Sequence, residues 1–103
     1  MLDINSLNFK KEVEEADGLV LIDFYADWCG PCKLMAPVIA ELETEYSKVK
    51  FCKVDVDKEP ELARLFKIKS IPTLALVKDN TFVDMSVGYV PKATVSKIIE
   101  ENL

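Results

Sequence analysis

Histidine is absent from the chain, and cysteine occurs only three times in 103 residues. A closed structural zinc site takes four cysteine or histidine ligands, so a single chain cannot build one, and a four-thiolate iron–sulfur cluster fails on the same count. Cys32 is followed by Lys33, which removes the c-type haem attachment signature. No metal is expected. Long apolar runs are missing as well: nowhere does the chain approach the roughly 20 apolar residues of a membrane span. Met1-Leu2-Asp3-Ile4-Asn5-Ser6 has neither the basic start nor the apolar core of a secretion signal. These absences lead to the expectation of a soluble, cytoplasmic protein with no membrane partner. An excess of positive charge is also lacking, the formal net charge being -5. The one mildly basic stretch, residues 46–69, interleaves seven Lys/Arg with four Asp/Glu, the pattern of a solvated face, so nucleic acid is not expected as a partner. What remains open to three cysteines is redox chemistry or packing.

Half of the residues are hydrophobic, enough for a core, and the length suits one domain over residues 1–103. Ile4 marks a short first strand. Phe9, Val13 and Ala16 then recur at helical spacing behind a cap at Asn5 or Asn8, and Gly18 ends that helix. Leu19 to Tyr25 is apolar on both faces, the pattern of a central strand covered on each side. From Cys32 onward Leu34, Met35, Val38, Ile39, Leu42 and Tyr46 form one apolar stripe, interrupted by Pro37, which predicts a kinked helix. Lys50 to Val56 is a further strand. Pro60 suits the first turn of a helix that turns Leu62, Leu65 and Phe66 inward. Thr73–Val77 and Phe82–Val87 read as a hairpin closed at Lys78-Asp79-Asn80-Thr81, with Asn80 tolerating left-handed geometry. Val95, Ile98, Ile99 and Leu103 predict a last helix from Pro91 or Lys92. The order is β-α-β-α-β-α-β-β-α, an α/β fold. Strands separated by helices run parallel and hairpin strands antiparallel, so the sheet is mixed, with helices on both sides.

Between the central strand and the long helix stands Trp28-Cys29-Gly30-Pro31-Cys32-Lys33. Unpaired N–H groups and aligned peptide dipoles at a helix N-terminus favour a thiolate over a thiol, and Cys29 faces that end. A structural bridge across so small a loop gains little chain entropy. Asp23 follows four apolar residues and precedes Phe24, so burial is expected; burial disfavours the charged form and lets the carboxyl exchange a proton near neutral pH. Lys53 reads as a solvated strand residue and Cys52 as a small core hydrophobe with no partner cysteine. Pro72 reads as the opening of a strand. The Trp28 ring, beside an attack site, is expected to be partly exposed.

Through Asp23 to Lys33, Pro37, Lys53-Val54-Asp55, Ile71-Pro72-Thr73 and Val87-Gly88 the chain resembles the thioredoxin family along nearly its whole length. The resemblance implies the thioredoxin fold, a five-stranded mixed sheet between two layers of helices, and a thiol-disulfide oxidoreductase that reduces disulfides in other proteins. Carried onto this sequence, Cys29 becomes the nucleophile, Cys32 the resolving thiol, and the two form the redox-active disulfide. Asp23 becomes the proton-transfer group, with Lys53 beside it. Gly30 and Pro31 tune the potential. Trp28, Gly30, Pro31, Ile71, Pro72 (with a cis bond), Val87 and Gly88 line the substrate groove. The family also implies a monomer that binds no cofactor, drawing electrons from a thioredoxin reductase and passing them to protein disulfides as part of electron transport and cell redox homeostasis. The alternatives are a thioredoxin-fold binding subunit without turnover, and an oxidase or isomerase, against which Gly30-Pro31 and the lack of histidine argue. Four positions depart from the family pattern: Tyr25 where Trp is frequent, Lys67 and Asn80 where Gly is, and Tyr89 where a small residue is usual.

Overall fold

In the computed structural model, which describes residues 1–103, the central apolar segment is strand β2, Leu19–Tyr25. It stands in the middle of a five-stranded sheet ordered β1-β3-β2-β4-β5, where β1 is Leu2–Asp3, β3 Lys50–Asp55, β4 Thr73–Lys78 and β5 Thr81–Val87. Strand β3 lies parallel to β1 and β2, whereas β4 runs antiparallel to β2 and β5. Helices α1 (Gly30–Glu45), α2 (Pro60–Leu65) and α3 (Lys92–Asn102) complete the fold with a short N-terminal helix at Lys10–Glu14.

Side chains on a strand alternate between faces, and β2 is apolar on both because each face has its own core. Leu19 and Leu21 pack with Met35, Ile39 and Leu42 of α1 and with Val95 and Ile99 of α3. Val20, Ile22 and Phe24 pack on the opposite side with Val13 of the short helix and Leu62 of α2. The α1 and α3 layer is also clamped through polar groups: Lys92 Nζ donates to Glu41 Oε1 at 2.8 Å and pairs with Glu45, while Tyr46 Oη donates to Glu100 Oε1 at 2.9 Å. No helix is long and apolar enough to cross a membrane.

Several local expectations need correction. The first strand precedes Ile4, whose amide instead donates to Lys53 O at 2.9 Å. The helix after it is of the wide π type, with Glu15 N reaching Lys10 O at 2.9 Å. Its start is held reciprocally: Asn5 Oδ1 accepts from Asn8 N at 3.0 Å, and Asn8 Oδ1 from Asn5 N at 2.8 Å. Leu34, Leu65 and Leu103 are exposed. Leu34 and Leu65 each adjoin a buried stripe, Met35-Ile39-Leu42 and Leu62, but lie off its axis, and Leu103 is past the end of α3. Pro37 lies inside α1, as expected, and its missing N–H leaves the carbonyl of Lys33 without its helical donor.

Three non-glycine residues adopt positive φ. Asp79 at 49° and Asn80 at 61° form the two-residue turn between the paired residues Lys78 and Thr81, a turn whose twist matches that of the flanking strands. Lys67, at 56°, ends α2: its amide donates to Arg64 O at 3.0 Å, and Ile68 N to Ala63 O at 2.9 Å. A Cβ in this left-handed region costs about 1–2 kcal/mol, of which glycine recovers part while adding entropy to the unfolded chain. Lys67→Gly is therefore expected to raise unfolding stability by about 0.5–1 kcal/mol in urea titration, and Lys67→Ala to leave it within about 0.5 kcal/mol.

Candidate functional site

The C-terminal end of β2 delivers the chain to Cys29, which is the N-cap of α1 with extended backbone (φ -84°, ψ 111°). Its Sγ accepts the Cys32 amide at 3.2 Å, and its carbonyl accepts Lys33 N at 3.2 Å. The sulfur thus fills a position usually held by a capping oxygen, where free amides and the helix dipole favour negative charge. Cys32, three residues on, lies in the same stripe as Met35 and Ile39 and faces the sheet. The two cysteines form a disulfide with Cα atoms 5.2 Å apart. Cys52 is a free, fully buried thiol on the opposite face of the sheet, and burial pushes it up to about 11.

Strand parity decides which groups meet Cys32. Asp23 shares the face of Leu19 and Leu21, and therefore points toward α1. Its backbone partner across the ladder is Lys53, whose ammonium also lies 5.7 Å from the Tyr25 ring centre and 3.7 Å from Asp3 Oδ1. Asp23, Lys53 and Cys32 together line a cavity of about 220 Å³. Asp23 is only 4% exposed and its Oδ1 has no hydrogen-bond partner. Burial raises its pKa from 3.8 to about 6, against the opposing pull of the Lys53 charge.

On the other side of Cys29 a groove of about 490 Å³ is lined by Trp28, Gly30, Pro31 and Ile71, together with Val56, Ala63, Ile68, Lys69 and Ser70. Cys29 Sγ lies 3.8 Å from Ile71 O. The Ile71–Pro72 peptide bond is cis. Pro72 is buried behind the groove wall and ties in the next segment, since Gly88 N donates to Pro72 O at 2.7 Å while Val87 pairs with Thr73. Val87 and Gly88 therefore adjoin Pro72, next to the groove wall. Trp28 is 70% exposed, its indole N–H donating to Asp57 Oδ2 at 2.7 Å. Asp57 is in turn placed by Asp55 Oδ1, which accepts Asp57 N at 2.9 Å and Lys58 N at 3.3 Å. Sequence reasoning missed Asp57, because nothing in its spacing from Trp28 signals the contact. The groove residues from Val56 to Ser70 were missed for a like reason: Val56 reaches Cys29 through the pairing of β3 with β2, and the others through the packing of α2 and the turn after it.

The thioredoxin family model matches residues 1–101. The chain belongs to the thioredoxin family. Thioredoxin 1 of Nostoc sp. is 46% identical over 101 residues, covering 97% of this chain and 94% of that one. The thioredoxin of Bacillus subtilis is 45% identical over 91 residues, covering 87% and 88%. The thioredoxin fold and a thiol-disulfide oxidoreductase activity at Cys29 and Cys32 accompany that membership. Among the departures from the family pattern, Tyr89 is half exposed just beyond Gly88, and Tyr25 is half-buried under the Lys53 charge.

Two measurable consequences follow from this arrangement. A carboxyl whose folded pKa is raised holds its proton more tightly in the native state. The contribution of Asp23 to stability is then full below about pH 3.8, falls as pH rises from 3.8 to about 6, and stays lowered above that. At about 1.4 kcal/mol per pH unit the loss approaches 3 kcal/mol. Asp23→Ala should exceed the natural chain in stability at pH 7.5, and the gap should close as pH approaches 4 in denaturant titrations. A gap that does not vary with pH would contradict the assignment. The second consequence concerns the sole tryptophan. Asp57→Ala should lower the fluorescence anisotropy of Trp28 and raise its quenching by acrylamide, with stability changed by less than about 1 kcal/mol, since the bond is exposed.

Proposed function

We propose that the protein reduces disulfide bonds in other proteins by cycling Cys29 and Cys32 between dithiol and disulfide. The observation that carries this reading is Cys29 at the N-cap of α1, its sulfur accepting a backbone amide and lining an open groove beside Ile71. Thioredoxins are themselves a standard instance of thiolate stabilisation at such a position.

In the reduced form the Cys29 thiolate attacks one sulfur of a substrate disulfide. That S–S bond breaks, a Cys29–substrate disulfide forms, and the departing substrate sulfur takes a proton. Asp23, on the face of β2 that Cys32 meets, accepts the Cys32 proton directly or through water in the cavity that both line. The Cys32 thiolate then attacks Cys29 Sγ, the mixed disulfide breaks, and the second substrate thiolate leaves. Two electrons have passed to the substrate, and the protein keeps the Cys29–Cys32 disulfide. Two electrons and two protons from a thioredoxin reductase restore the dithiol. A pKa of about 6 allows Asp23 to take up and return a proton near neutral pH, and Lys53 keeps the value from rising further. Gly30 and Pro31 set the geometry and potential of the loop. Trp28, Ile71, Pro72, Val87 and Gly88 hold an extended substrate segment. The chain works as a cytoplasmic monomer, carrying electrons in cell redox homeostasis.

Insulin reduction driven by dithiothreitol tests the activity directly: turbidity should rise with the protein present, whereas a binding subunit without turnover leaves the background rate. Distinct roles for the cysteines predict unequal trapping. Cys32→Ser should accumulate a mixed disulfide with substrate through Cys29, visible on non-reducing gels, and Cys29→Ser should capture essentially none. Equal adducts on both variants would falsify the assignment.

A further inference from the structure

A second depression, outside the dithiol groove, lies where β4 and β5 extend past α2. Its volume is about 710 Å³, and its apolar wall includes Phe9, Leu65, Phe66, Phe82 and Met85. The Phe66 ring sits in the middle, 5.9 Å from Phe9 and 6.4 Å from Phe82, centre to centre. Leu65 and Phe82 are more than half exposed.

The wall is built by an irregularity in β5. Leu76 faces Asp84 and Val77 faces Phe82, so Val83 is an extra residue with no partner on β4. In a regular strand Phe82 and Met85, three apart, point to opposite faces. The bulge resets the alternation, and Phe82 opposite Val77 and Met85 opposite Ala75 both turn toward the side packed by α2. Without it one of the two side chains leaves the cavity.

Two cations stand among the lining residues, Lys67 and Lys69, against the single acid Glu14. Neither lysine takes part in an ion pair, although the chain as a whole is acidic. Lys69 also lines the groove beside Cys29, so the two depressions meet at this residue.

We propose that this cavity is an exosite: it takes an apolar side chain flanked by carboxylates from the same protein whose disulfide lies against Cys29. Continuity through Lys69 assigns both sites to one bound protein, and the unpaired lysines assign the flanking charge. A second copy of the chain fits poorly, because a two-fold interface on this face buries the same lysine-bearing patch from both copies and brings no added carboxylates to it beyond Glu14. The proposal rests on the reductase reading and adds a substrate class to it.

The test uses two peptides, each carrying one cysteine as a mixed disulfide with 5-thio-2-nitrobenzoate and a flexible spacer ending in Phe-Asp-Asp or Ser-Gln-Gln. Attack by Cys29 releases the coloured nitrothiobenzoate, and resolution by Cys32 frees the peptide thiol. The reduced natural chain should favour the Phe-Asp-Asp peptide by at least about 10-fold in kcat/KM, the scale of burying one apolar side chain. Phe82→Ser and Lys67→Glu should each cut that preference to below about 3-fold while reducing hydroxyethyl disulfide at the unaltered rate. Equal kcat/KM for the two peptides, with hydroxyethyl disulfide still reduced, overturns the exosite alone. Failure to reduce hydroxyethyl disulfide overturns the reductase reading and the exosite with it. A concentration-dependent dimer that Phe82→Ser dissolves gives the cavity to a second copy, and overturns the proposal.

Discussion

Six consecutive side chains of β2, from Leu19 to Phe24, are buried because a helical layer covers each face of the sheet, and that double burial orders the rest of the molecule. Even positions feed the core under α2 and the short helix, and odd positions the core under α1 and α3. A one-residue slip would exchange the two sets. The alternation therefore holds Asp23 on the α1 side and keeps α1 in register above it. Cys32, continuing the Met35 and Ile39 stripe, must then descend onto the same face, while Cys29, one turn earlier, caps the helix and is buried with it.

The site is a balance of opposed electrostatic effects. Burial alone drives Asp23 toward its neutral form, and the Lys53 charge, its ladder neighbour, opposes this without cancelling it. The carboxyl ends near 6, close to neutral pH, at a cost in stability comparable to a substantial fraction of the roughly 5–15 kcal/mol that holds a small domain together. At Cys29 the balance runs the other way, because the free amides at the start of α1 that meet its sulfur favour negative charge. The two groups are tuned in opposite senses by burial on one side of the loop and by a helix terminus on the other.

Farther from the dithiol, irregular backbone shapes the surface. Left-handed Lys67 turns the chain out of α2 and brings Ile68, Lys69 and Ser70 to the groove. The bulge at Val83 places Phe82 and Met85 on one face. Both features shape the surface beyond the residues next to the cysteines, where Tyr89 stands half exposed beyond Gly88.

Much of this was legible in the sequence. Apolar content on both faces of Leu19–Tyr25 marked the central strand, Pro60 marked the start of α2, and Cys-Gly-Pro-Cys after a strand marked a helix terminus carrying thiols, because such signals depend on neighbours a few residues away. Asn80 declared its turn for the same reason. Contacts between distant segments left no comparable trace. The hydrogen bond from Trp28 to Asp57 depends on how separate strands and helices align, and the meeting of Lys53 with Asp23 and of Gly88 with Pro72 was expected only through the family resemblance, not from the spacing of those residues. Exposure of Leu34 and Leu65 likewise depended on where each helix rolled against the sheet, which apolar spacing leaves uncertain by one position around the helix. Local chemistry was thus determined by the order of residues. Which groups share a face or a cavity was decided only when parallel β2 and β3 were set in register and α1 was laid across them, since burial and Coulombic coupling depend on distance in space rather than along the chain.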